Sequence, residues 1–453
     1  MLPESFIKAV PEFPGIDPAS FIEIHNQPVP VTSVRFNPIR TNASHLFPEQ
    51  ELTPVPWASE GFYLSQRPSF ITHPGWHAGA FYVQEASSMF LEQGFRTCFP
   101  NNEPIRVLDL CAAPGGKSTH LASLIPQGSL LASNEVIKAR AGTLAENLTR
   151  WGTSASVVTQ NDPEDFQRLP HFFDLIVVDA PCSGSGMFHK DPEAISEWSP
   201  EHVQLCRQRQ QRILADALPA LKPGGWLIYS TCSYSVEENE WMVNWLCSNQ
   251  GMQAHRIPVL PQWNIVESKA QNQIGYRFYP DRVSGEGFFM ALLQKDYSHP
   301  TQLPRPKNRL LKLSRDATQQ ISNWIRPNIH PLLFQLGDRV IAFPENREED
   351  LLHLQSALYI KKAGTSLGTL VRQELIPDHD LALSEWLHPE ISSINLDYDD
   401  ALNYLRKHDL RLNFSGKKGW TLMRWNQLPL GWAKILPNRM NNYFPKEWRI
   451  LNK

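Results

Sequence analysis

The chain has 453 residues, more than one hydrophobic core usually supports, so two or three domains are expected. Its 42% hydrophobic and 20% charged residues exclude a disordered or fibrous protein, and its net charge of −3 excludes a globally basic nucleic-acid binder. Six scattered cysteines predict free thiols in a reducing compartment, and with no apolar run of membrane-spanning length we expect a cytoplasmic protein without a membrane partner.

Residues 1–95 mix short apolar runs with many prolines, which is typical of a small α+β module. From Ile105 onward, apolar runs of strand length alternate with longer stretches of helical period, as in a parallel α/β sheet. Strands are predicted over 105–110, 156–159, 173–178 and 226–230, and another strand is predicted to end near residue 133. A final hairpin is predicted to close over 287–293. Helices are predicted from Lys117 and over 139–150, 203–221 and 237–247. We therefore expect a Rossmann-like catalytic domain over 96–297.

The C-terminal third separates its charges along the chain. Residues 298–316 are basic and rich in proline, which predicts a linker before an α/β module over 317–385. Residues 373–401 hold eight acidic and no basic residues, whereas 405–453 hold eleven Lys or Arg against only Asp409 and Glu447. Aromatic residues lie among these cations, so 386–453 is predicted to bind RNA through phosphate attraction and base stacking. The alternative is a solvated face over an aromatic core.

A ligand-binding turn is predicted where the first core strand meets its helix. Residues 109–117 read Asp-Leu-Cys-Ala-Ala-Pro-Gly-Gly-Lys, and small residues at a helix N-terminus let backbone N–H groups approach an anionic or nucleotide-type ligand. The earlier glycine of a phosphate loop is missing, which disfavours an ATPase. Glu135 and Asp162 follow the next strands, where a carboxylate can accept ribose hydroxyls. Alternatively, Asp109 caps a helix and the other two are solvated.

Two cysteines follow strands at the same predicted sheet edge. Cys182 lies in Asp-Ala-Pro-Cys-Ser-Gly, and Cys232 lies in Ser-Thr-Cys-Ser. A thiolate that adds to carbon 6 of a cytosine would let carbon 5 attack a sulfonium methyl group, and a nearby base would then complete the elimination. Cys182 and Asp179 are the candidates for that later step. The remaining cysteines are predicted to be core residues, namely Cys98, Cys206, Cys247 and, by the same default, Cys111.

These motifs together resemble the NOL1/NOP2/Sun family of RNA cytosine-5 methyltransferases, and within it the bacterial 16S ribosomal RNA branch. The resemblance rests on 109–117, 179–188 and 229–233, with support from 82–87 and 285–289. It covers about residues 30–295. Segments 431–434 and 438–445 are similar to the extension of that branch and imply a PUA-like RNA-binding module.

The resemblance implies a cofactor, a nucleophile and a partner. The implied S-adenosylmethionine pocket consists of Cys111, Ala112, Ala113, Pro114, Gly115, Gly116, Lys117, Glu135, Asp162 and Asp179. Cys232 is implied as the nucleophile and Cys182 as an aid to product release. RNA, most directly 16S ribosomal RNA, is the expected partner of a monomer that needs no metal. Transfer RNA is the alternative substrate, and a noncatalytic ribosome-assembly factor is disfavoured because binding alone does not require two cysteines after strands.

Overall fold

The computed structural model describes residues 2–27, 30–40, 45–270, 273–297, 303, 306, 309–372, 374–410, 418–437 and 439–451. Strands of these residues form four sheets. Most of the predicted linker (298–302, 304–305 and 307–308) lies outside the described residues, as do 411–417 and Asn438 of the predicted RNA-binding region. Within the described ranges, no helix has the length and apolar character needed to cross a membrane.

The N-terminal module is a four-stranded antiparallel sheet accompanied by short helices. Its strands are β1 (Thr32–Phe36), β2 (Leu52–Pro54), β3 (Gly61–Leu64) and β4 (Phe81–Val83), which pair in the order β2-β3-β1-β4. Its helices are α1 (Glu4–Ala9), α2 (Pro18–Asn26) and α3 (Pro74–His77), and α4 (Leu91–Cys98) leads into the next domain. The predicted α+β character is confirmed.

The central sheet shows the predicted alternation of strands and helices. Its parallel strands are β5 (Arg106–Asp109), β6 (Leu130–Asn134), β7 (Ser156–Thr159), β8 (Phe173–Asp179) and β9 (Leu221–Thr231). The accompanying helices are α5 (Gly116–Leu124), α6 (Lys138–Trp151), α7 (Pro192–Glu197), α8 (Pro200–Ala217) and α9 (Glu240–Asn249). The strands pair in the order β7-β6-β5-β8-β9, so the Rossmann-like core is confirmed.

The strand order of this sheet reverses beside β5. The chain passes from β5 outward through β6 and β7, and then returns to β8 and β9 on the other side. Such a reversal opens a crevice outside the carboxyl ends of the strands, where α/β sheets bind ligands. Asp109 ends β5, Asp179 ends β8, and Cys232 directly follows β9.

Antiparallel strands extend the sheet beyond β9. They are β10 (Met252–His255), β11 (Val266–Ala270), β12 (Gln273–Phe278) and β13 (Phe288–Lys295). β13 pairs with β9, β10 and β12, and β11 pairs with β12. The predicted final hairpin corresponds to β12 and β13, which place segment 285–289 next to the end of β9.

The helix predicted over 203–221 is too long at its carboxyl end. α8 stops at Ala217, and a short helical turn over Leu218–Ala220 leads into β9, whose Leu221 pairs with Phe173. Pro219 has no N–H group and cannot continue the hydrogen bonds of a helix. The apolar residues across this junction do not reveal by their spacing where helix gives way to strand.

The C-terminal part contains two further sheets. The first pairs in the order β14-β15-β16-β18-β19, and its strands are β14 (Leu311–Lys312), β15 (Leu332–Leu336), β16 (Arg339–Phe343), β18 (Thr365–Val371) and β19 (Glu374–Pro377). Its helices are α10 (Arg315–Ser322), α11 (Glu348–Ala357) and α12 (His379–Leu383). β14 and the start of α10 thus fall inside the predicted linker. β17 (Ile360–Ala363) instead pairs antiparallel with β7 at the edge of the central sheet.

The last sheet packs directly on the N-terminal module. It consists of β20 (Ser393–Leu396), β21 (Gly419–Trp425), β22 (Leu428–Leu436) and β23 (Arg439–Asn442), with helix α13 (Tyr398–Arg406). Buried Val34 and Phe36 of β1 belong to the same hydrophobic cluster as Leu402 of α13 and Leu430 of β22. The two ends of the chain therefore share one core.

Candidate active site

The turn over 110–115 joins β5 to α5 and borders the crevice. Gly115 at its end has a φ of 118°, a conformation that glycine adopts without strain. Asp109 is fully buried, and its Oδ2 accepts a hydrogen bond from Ser118 Oγ at 2.6 Å. Asp109 Oδ1 has no hydrogen-bond partner among the described residues. Burial raises the pKa of Asp109 to about 7, so a cationic ligand atom near Oδ1 would favour its ionised form.

A second carboxylate, Asp179, is fixed by two neighbours. Lys117 Nζ lies 2.7 Å from Asp179 Oδ2, and Ser230 Oγ donates to Asp179 Oδ1 at 2.7 Å. Charge-assisted contacts of this length hold a carboxylate in one orientation. The structure therefore joins the turn after β5 to the end of β8, as their motifs predicted.

The two predicted thiols lie side by side. Cys182 Sγ and Cys232 Sγ are 3.0 Å apart. This hydrogen bond and burial raise the pKa of Cys182 well above its usual value. Cys182 is therefore a thiol at neutral pH and can donate a hydrogen bond to a thiolate at Cys232.

A buried glutamate that the sequence analysis did not identify holds the two thiol loops together. Glu238 is completely buried. Its carboxylate accepts hydrogen bonds from Ser183 N at 2.9 Å, Ser183 Oγ at 2.5 Å, Ser233 Oγ at 2.6 Å and Gln210 Nε2 at 3.0 Å. The two serines directly follow the two predicted catalytic cysteines, so Glu238 fixes the loops against each other. In the sequence, Glu238 resembles the adjacent Glu237, and only the tertiary fold distinguishes them.

Backbone hydrogen bonds attach a third segment to these loops. Gly186 N donates to Cys232 O at 2.8 Å, and Gly287 N donates to Gly186 O at 3.0 Å. A Cβ atom on Gly186 would lie 2.4 Å from Gly287 O. Glycine at 186 therefore permits the close approach that brings motif 285–289 beside Cys232.

A cavity of about 390 Å³ lies between these segments, a volume within the range of small-molecule sites. The predicted site residues that line it are Cys111, Ala112, Ala113, Pro114, Gly116, Lys117, Asp179 and Cys232. Other lining residues come from the motifs on either side, among them Tyr82, Gln84, Glu85, Lys190 and Glu286. Gly115 and Cys182 are not part of the lining, although Gly115 caps α5 and Cys182 contacts Cys232.

Glu135 and Asp162 follow β6 and β7 as predicted, but they do not line this cavity. Glu135 is 4% exposed, and its carboxylate accepts a hydrogen bond from Ile137 N at 2.9 Å. Asp162 accepts a hydrogen bond from Glu164 N at 3.2 Å and lies 3.0 Å from Arg212 Nη1. Their role as cofactor ligands stays a prediction.

Arg35 of β1 extends from the N-terminal module to α5, the helix that follows the 110–115 turn. Its Nε donates to Gln84 Oε1 at 2.8 Å, its Nη2 donates to Thr119 Oγ1 at 2.7 Å, and its Cζ lies 4.4 Å from the Trp151 ring centroid. Burial lowers the pKa of Arg35 to about 9, which leaves it charged at neutral pH. The sequence analysis missed this residue because an arginine within a strand pattern gives no indication of its partners.

The other four cysteines are free thiols. Cys98 and Cys206 are buried core residues, and the partly buried Cys247 packs against a core cluster. Burial raises the pKa of Cys111, so this cavity-lining residue is a neutral thiol. In the part of the chain that the structure describes, no group of three or more His, Cys, Asp or Glu is placed to hold a metal ion.

The predicted RNA-binding region divides its aromatic residues between core and surface. Trp425 and Trp432 are buried, so for these two the alternative of an aromatic core is correct. Trp420 and Tyr443 remain nearer the surface, with ring centroids 4.5 Å apart. Lys434 lies 5.2 Å from the Trp420 ring and forms an ion pair with Glu374 at 2.9 Å.

Comparison with known families matches three parts of the chain. The family described as 16S rRNA methyltransferase RsmB/F matches residues 97–294. The N-terminal domain of 16S rRNA methyltransferase RsmF matches residues 2–86, and the methyltransferase RsmF PUA domain matches 392–450. These matches coincide with the N-terminal sheet, the central sheet and the last sheet described above.

Similar proteins extend over most of the chain. Ribosomal RNA small subunit methyltransferase F of Aeromonas hydrophila is 31% identical over 410 residues, which cover 88% of this chain and 85% of that protein. The protein of the same name from Aliivibrio fischeri is 30% identical over 474 residues, covering 98% and 97%. The crystal structure of a methyltransferase homolog protein from Pyrococcus horikoshii is 29% identical, with a TM-score of 0.54 over 64% of this chain and 94% of its own.

Proposed function

The chain belongs to the 16S rRNA methyltransferase RsmB/F family, and on that premise we propose that it methylates carbon 5 of a cytosine in 16S ribosomal RNA. The observation that carries this proposal is the pair of thiols with Sγ atoms 3.0 Å apart, one of which lines the cavity formed by the 111–117 turn. Methylation of carbon 5 needs a thiolate nucleophile that adds to carbon 6 and a second group that helps this thiolate to leave. Binding of RNA alone needs neither.

S-adenosylmethionine is the methyl donor of this family, and the residues of the cavity fit it. Asp109 directly precedes the turn that lines the cavity, and its buried Oδ1, which has no partner among the described residues, would complement a cationic amine. The N-terminus of α5 complements a carboxylate. We assign the cofactor to residues 111–117 and Asp179, with Glu135 and Asp162 as further ligands. When bound, it supplies an electrophilic methyl group on a positively charged sulfur.

Cys232 begins the reaction in this proposal. Carbon 5 of cytosine is a weak nucleophile, and addition of the Cys232 thiolate to carbon 6 moves an electron pair toward carbon 5. Carbon 5 can then accept the methyl group. Asp179, held by Lys117 and Ser230, is the carboxyl group we place at the N3 edge of the ring, where a proton shared between its oxygen and N3 stabilises the negative charge that develops on the ring.

Cys182 acts after methyl transfer. The bond between carbon 6 and Cys232 must break, and the sulfur leaves with its electron pair. Cys182 Sγ lies 3.0 Å from Cys232 Sγ, and because its pKa is raised it keeps its proton at neutral pH, so Cys182 offers a hydrogen bond to the departing thiolate. Glu238 supports this step by holding the serines that follow both cysteines.

The free thiols also support a location for the reaction. All six cysteines are unpaired, which favours a reducing compartment, and we propose the cytoplasm.

The last sheet, which matches the PUA domain of RsmF, is the part we assign to RNA binding. Exposed cations in this sheet or directly beside it, including Arg439 and Lys418, support that assignment.

Bisulfite sequencing tests the proposed reaction. Cells without the gene should lose one or more 5-methylcytosines from 16S ribosomal RNA, and a copy of the gene should restore them. A copy that encodes Cys232→Ala should not restore them. Loss of methylation in transfer RNA instead would identify the other substrate, and restoration by Cys232→Ala would indicate a noncatalytic role.

A further inference from the structure

The elimination step requires a proton acceptor, and neither Asp179 nor Cys182 provides one. After methyl transfer, carbon 5 carries both the methyl group and a hydrogen atom, and the ring regains its double bond only when that hydrogen leaves as a proton. Asp179 is the group already placed at the N3 edge of the ring, and Lys117 and Ser230 contact its two oxygens at 2.7 Å each. Cys182 keeps its own proton at neutral pH because its pKa is raised well above the usual value.

Glu286 is a carboxylate of the same cavity whose oxygens are weakly engaged. Its side chain is 8% exposed, and it lines the cavity together with Cys232. Glu286 Oε2 accepts no hydrogen bond from any described residue. Lys190 Nζ lies 3.7 Å from Oε1 and His189 Nδ1 lies 3.5 Å from Oε2, both longer than ordinary hydrogen bonds.

The protonation states of this group favour a proton acceptor. Burial lowers the pKa of His189 to about 4, so the imidazole is neutral at neutral pH. Burial also raises the pKa of Glu286, which makes its carboxylate a stronger base than an exposed one. Lys190 remains the nearby charge that keeps the carboxylate available in its ionised form.

The backbone fixes Glu286 beside the nucleophile. Glu286 N donates to Glu85 Oε1 at 3.0 Å, and Ser87 Oγ donates to Glu286 O at 3.2 Å. The next residue, Gly287, donates to Gly186 O, and Gly186 N in turn donates to Cys232 O. The carboxylate therefore belongs to a segment anchored on the N-terminal module at one side and on the loop of the nucleophile at the other.

We propose that Glu286 is the base that removes the proton from carbon 5, a role that rests on the proposed cytosine methylation. The bond between carbon 5 and hydrogen breaks, and the proton passes to a carboxylate oxygen of Glu286. The electron pair of that bond forms the double bond between carbons 5 and 6. The bond between carbon 6 and sulfur breaks, and its electron pair stays on Cys232, to which Cys182 offers a hydrogen bond.

Substrate RNA labelled with tritium at carbon 5 of cytosine separates this step from methyl transfer. The assay measures tritium released to water per methyl group transferred, with the methyl group carrying a different label. Glu286→Gln keeps the size of the side chain but cannot accept the proton, so the ratio should fall roughly a hundredfold. A protein–RNA adduct that survives denaturing electrophoresis should accumulate. Glu286→Asp should recover part of the ratio, and Glu193→Gln, at an exposed glutamate, should keep the wild-type ratio.

The possible results separate this role from the proposed function. A wild-type ratio in Glu286→Gln would overturn the role of Glu286 alone. Loss of both methyl transfer and adduct in Glu286→Gln and Glu286→Asp would place Glu286 before methyl transfer and would also overturn it. A wild-type protein that transfers methyl groups to RNA without releasing tritium would overturn the chemistry at carbon 5 and this role with it.

Discussion

The contact between the two thiols predicts that their alanine variants fail at different steps. Cys232→Ala should abolish methylation and any covalent complex with RNA, because in the proposed mechanism it removes the sulfur that bonds to carbon 6. Cys182→Ala should still permit attack and methyl transfer, but the departing thiolate loses the donor that lies 3.0 Å away. A covalent protein–RNA complex should therefore accumulate, which denaturing electrophoresis of labelled RNA measures.

The control for these variants is Cys247→Ala, which alters a partly buried thiol outside the cavity. It should neither trap RNA nor stop methylation. A complex trapped by Cys232→Ala and absent from Cys182→Ala would reverse the two roles. Both cysteines follow strands at the same edge of the sheet, so their positions alone do not distinguish the nucleophile from the second thiol, and this experiment does.

The site residues that could be predicted from the sequence are those that lie at the end of a predicted strand, because that position places them at the ligand-binding edge of the sheet. Asp179 ends β8 and Cys232 follows β9, and parallel strands bring both to one edge of the sheet. Glu238 and Arg35 could not be predicted in this way. Each is a buried ionisable group with partners in distant segments, such as Ser183 for Glu238 and Thr119 for Arg35, and their burial depends on the completed tertiary structure.

At the scale of elements, Arg35 connects β1 with α5. We therefore predict that the N-terminal module increases the affinity for S-adenosylmethionine. Arg35→Met removes the hydrogen bonds to Gln84 and Thr119 but keeps an apolar side chain over Trp151. The first turns of α5 then lose the side chain that holds Thr119 in place. The Kd for S-adenosylmethionine, measured by calorimetry, should rise about tenfold, the equivalent of one hydrogen bond to a charged group.

Arg35→Lys keeps the charge and should recover part of this affinity. Arg67→Met, at an exposed arginine of the same module, is the matched control and should bind the cofactor as the wild type does. A KM for S-adenosylmethionine that rises while kcat stays constant would support a positioning role. Unchanged cofactor affinity in Arg35→Met with a lower melting temperature would show a structural role only.

The parallel strands of the central sheet were predictable, whereas two features of the same sheet were not. Apolar runs separated by helical stretches indicate parallel strands, and β5 to β9 follow this rule. The addition of β17 to β7 joins segments about two hundred residues apart, and no local pattern encodes such a pairing. The predicted end of the helix, at residue 221 instead of Ala217, was wrong for a local reason. The apolar residues at this junction suit a helix and a strand equally well.

For the whole molecule, the core shared by the N-terminal module and the last sheet limits how its parts can be separated. Val34 and Phe36 pack in one cluster with Leu402 and Leu430. A chain that ended near Lys295 would expose this cluster and would also lose β17 from the central sheet. Truncation would thus disturb folding together with RNA affinity. Surface substitutions are the cleaner test of where RNA binds.

Three exposed cations of the last sheet region provide that test. Lys418, Arg439 and Lys446 are exposed, and none forms an ion pair with another described residue. Replacing all three by glutamate should weaken RNA binding and reduce the slope of log K against log salt by about one for each phosphate that is no longer neutralised. The Kd for S-adenosylmethionine should not change, because these residues do not line the cavity.

Filter binding at several salt concentrations measures both the affinity and its slope. A control with the same change in net charge replaces Lys269, Arg282 and Lys361, exposed cations outside 386–453, by glutamate. Long-range repulsion would weaken both variants alike, whereas direct binding to phosphates would lower the salt slope only in the Lys418, Arg439 and Lys446 variant. Equal affinities and slopes in the two variants would exclude this surface as the RNA-binding face. The RNA would then have to bind around the cavity itself, where Lys190 is one of the lining cations.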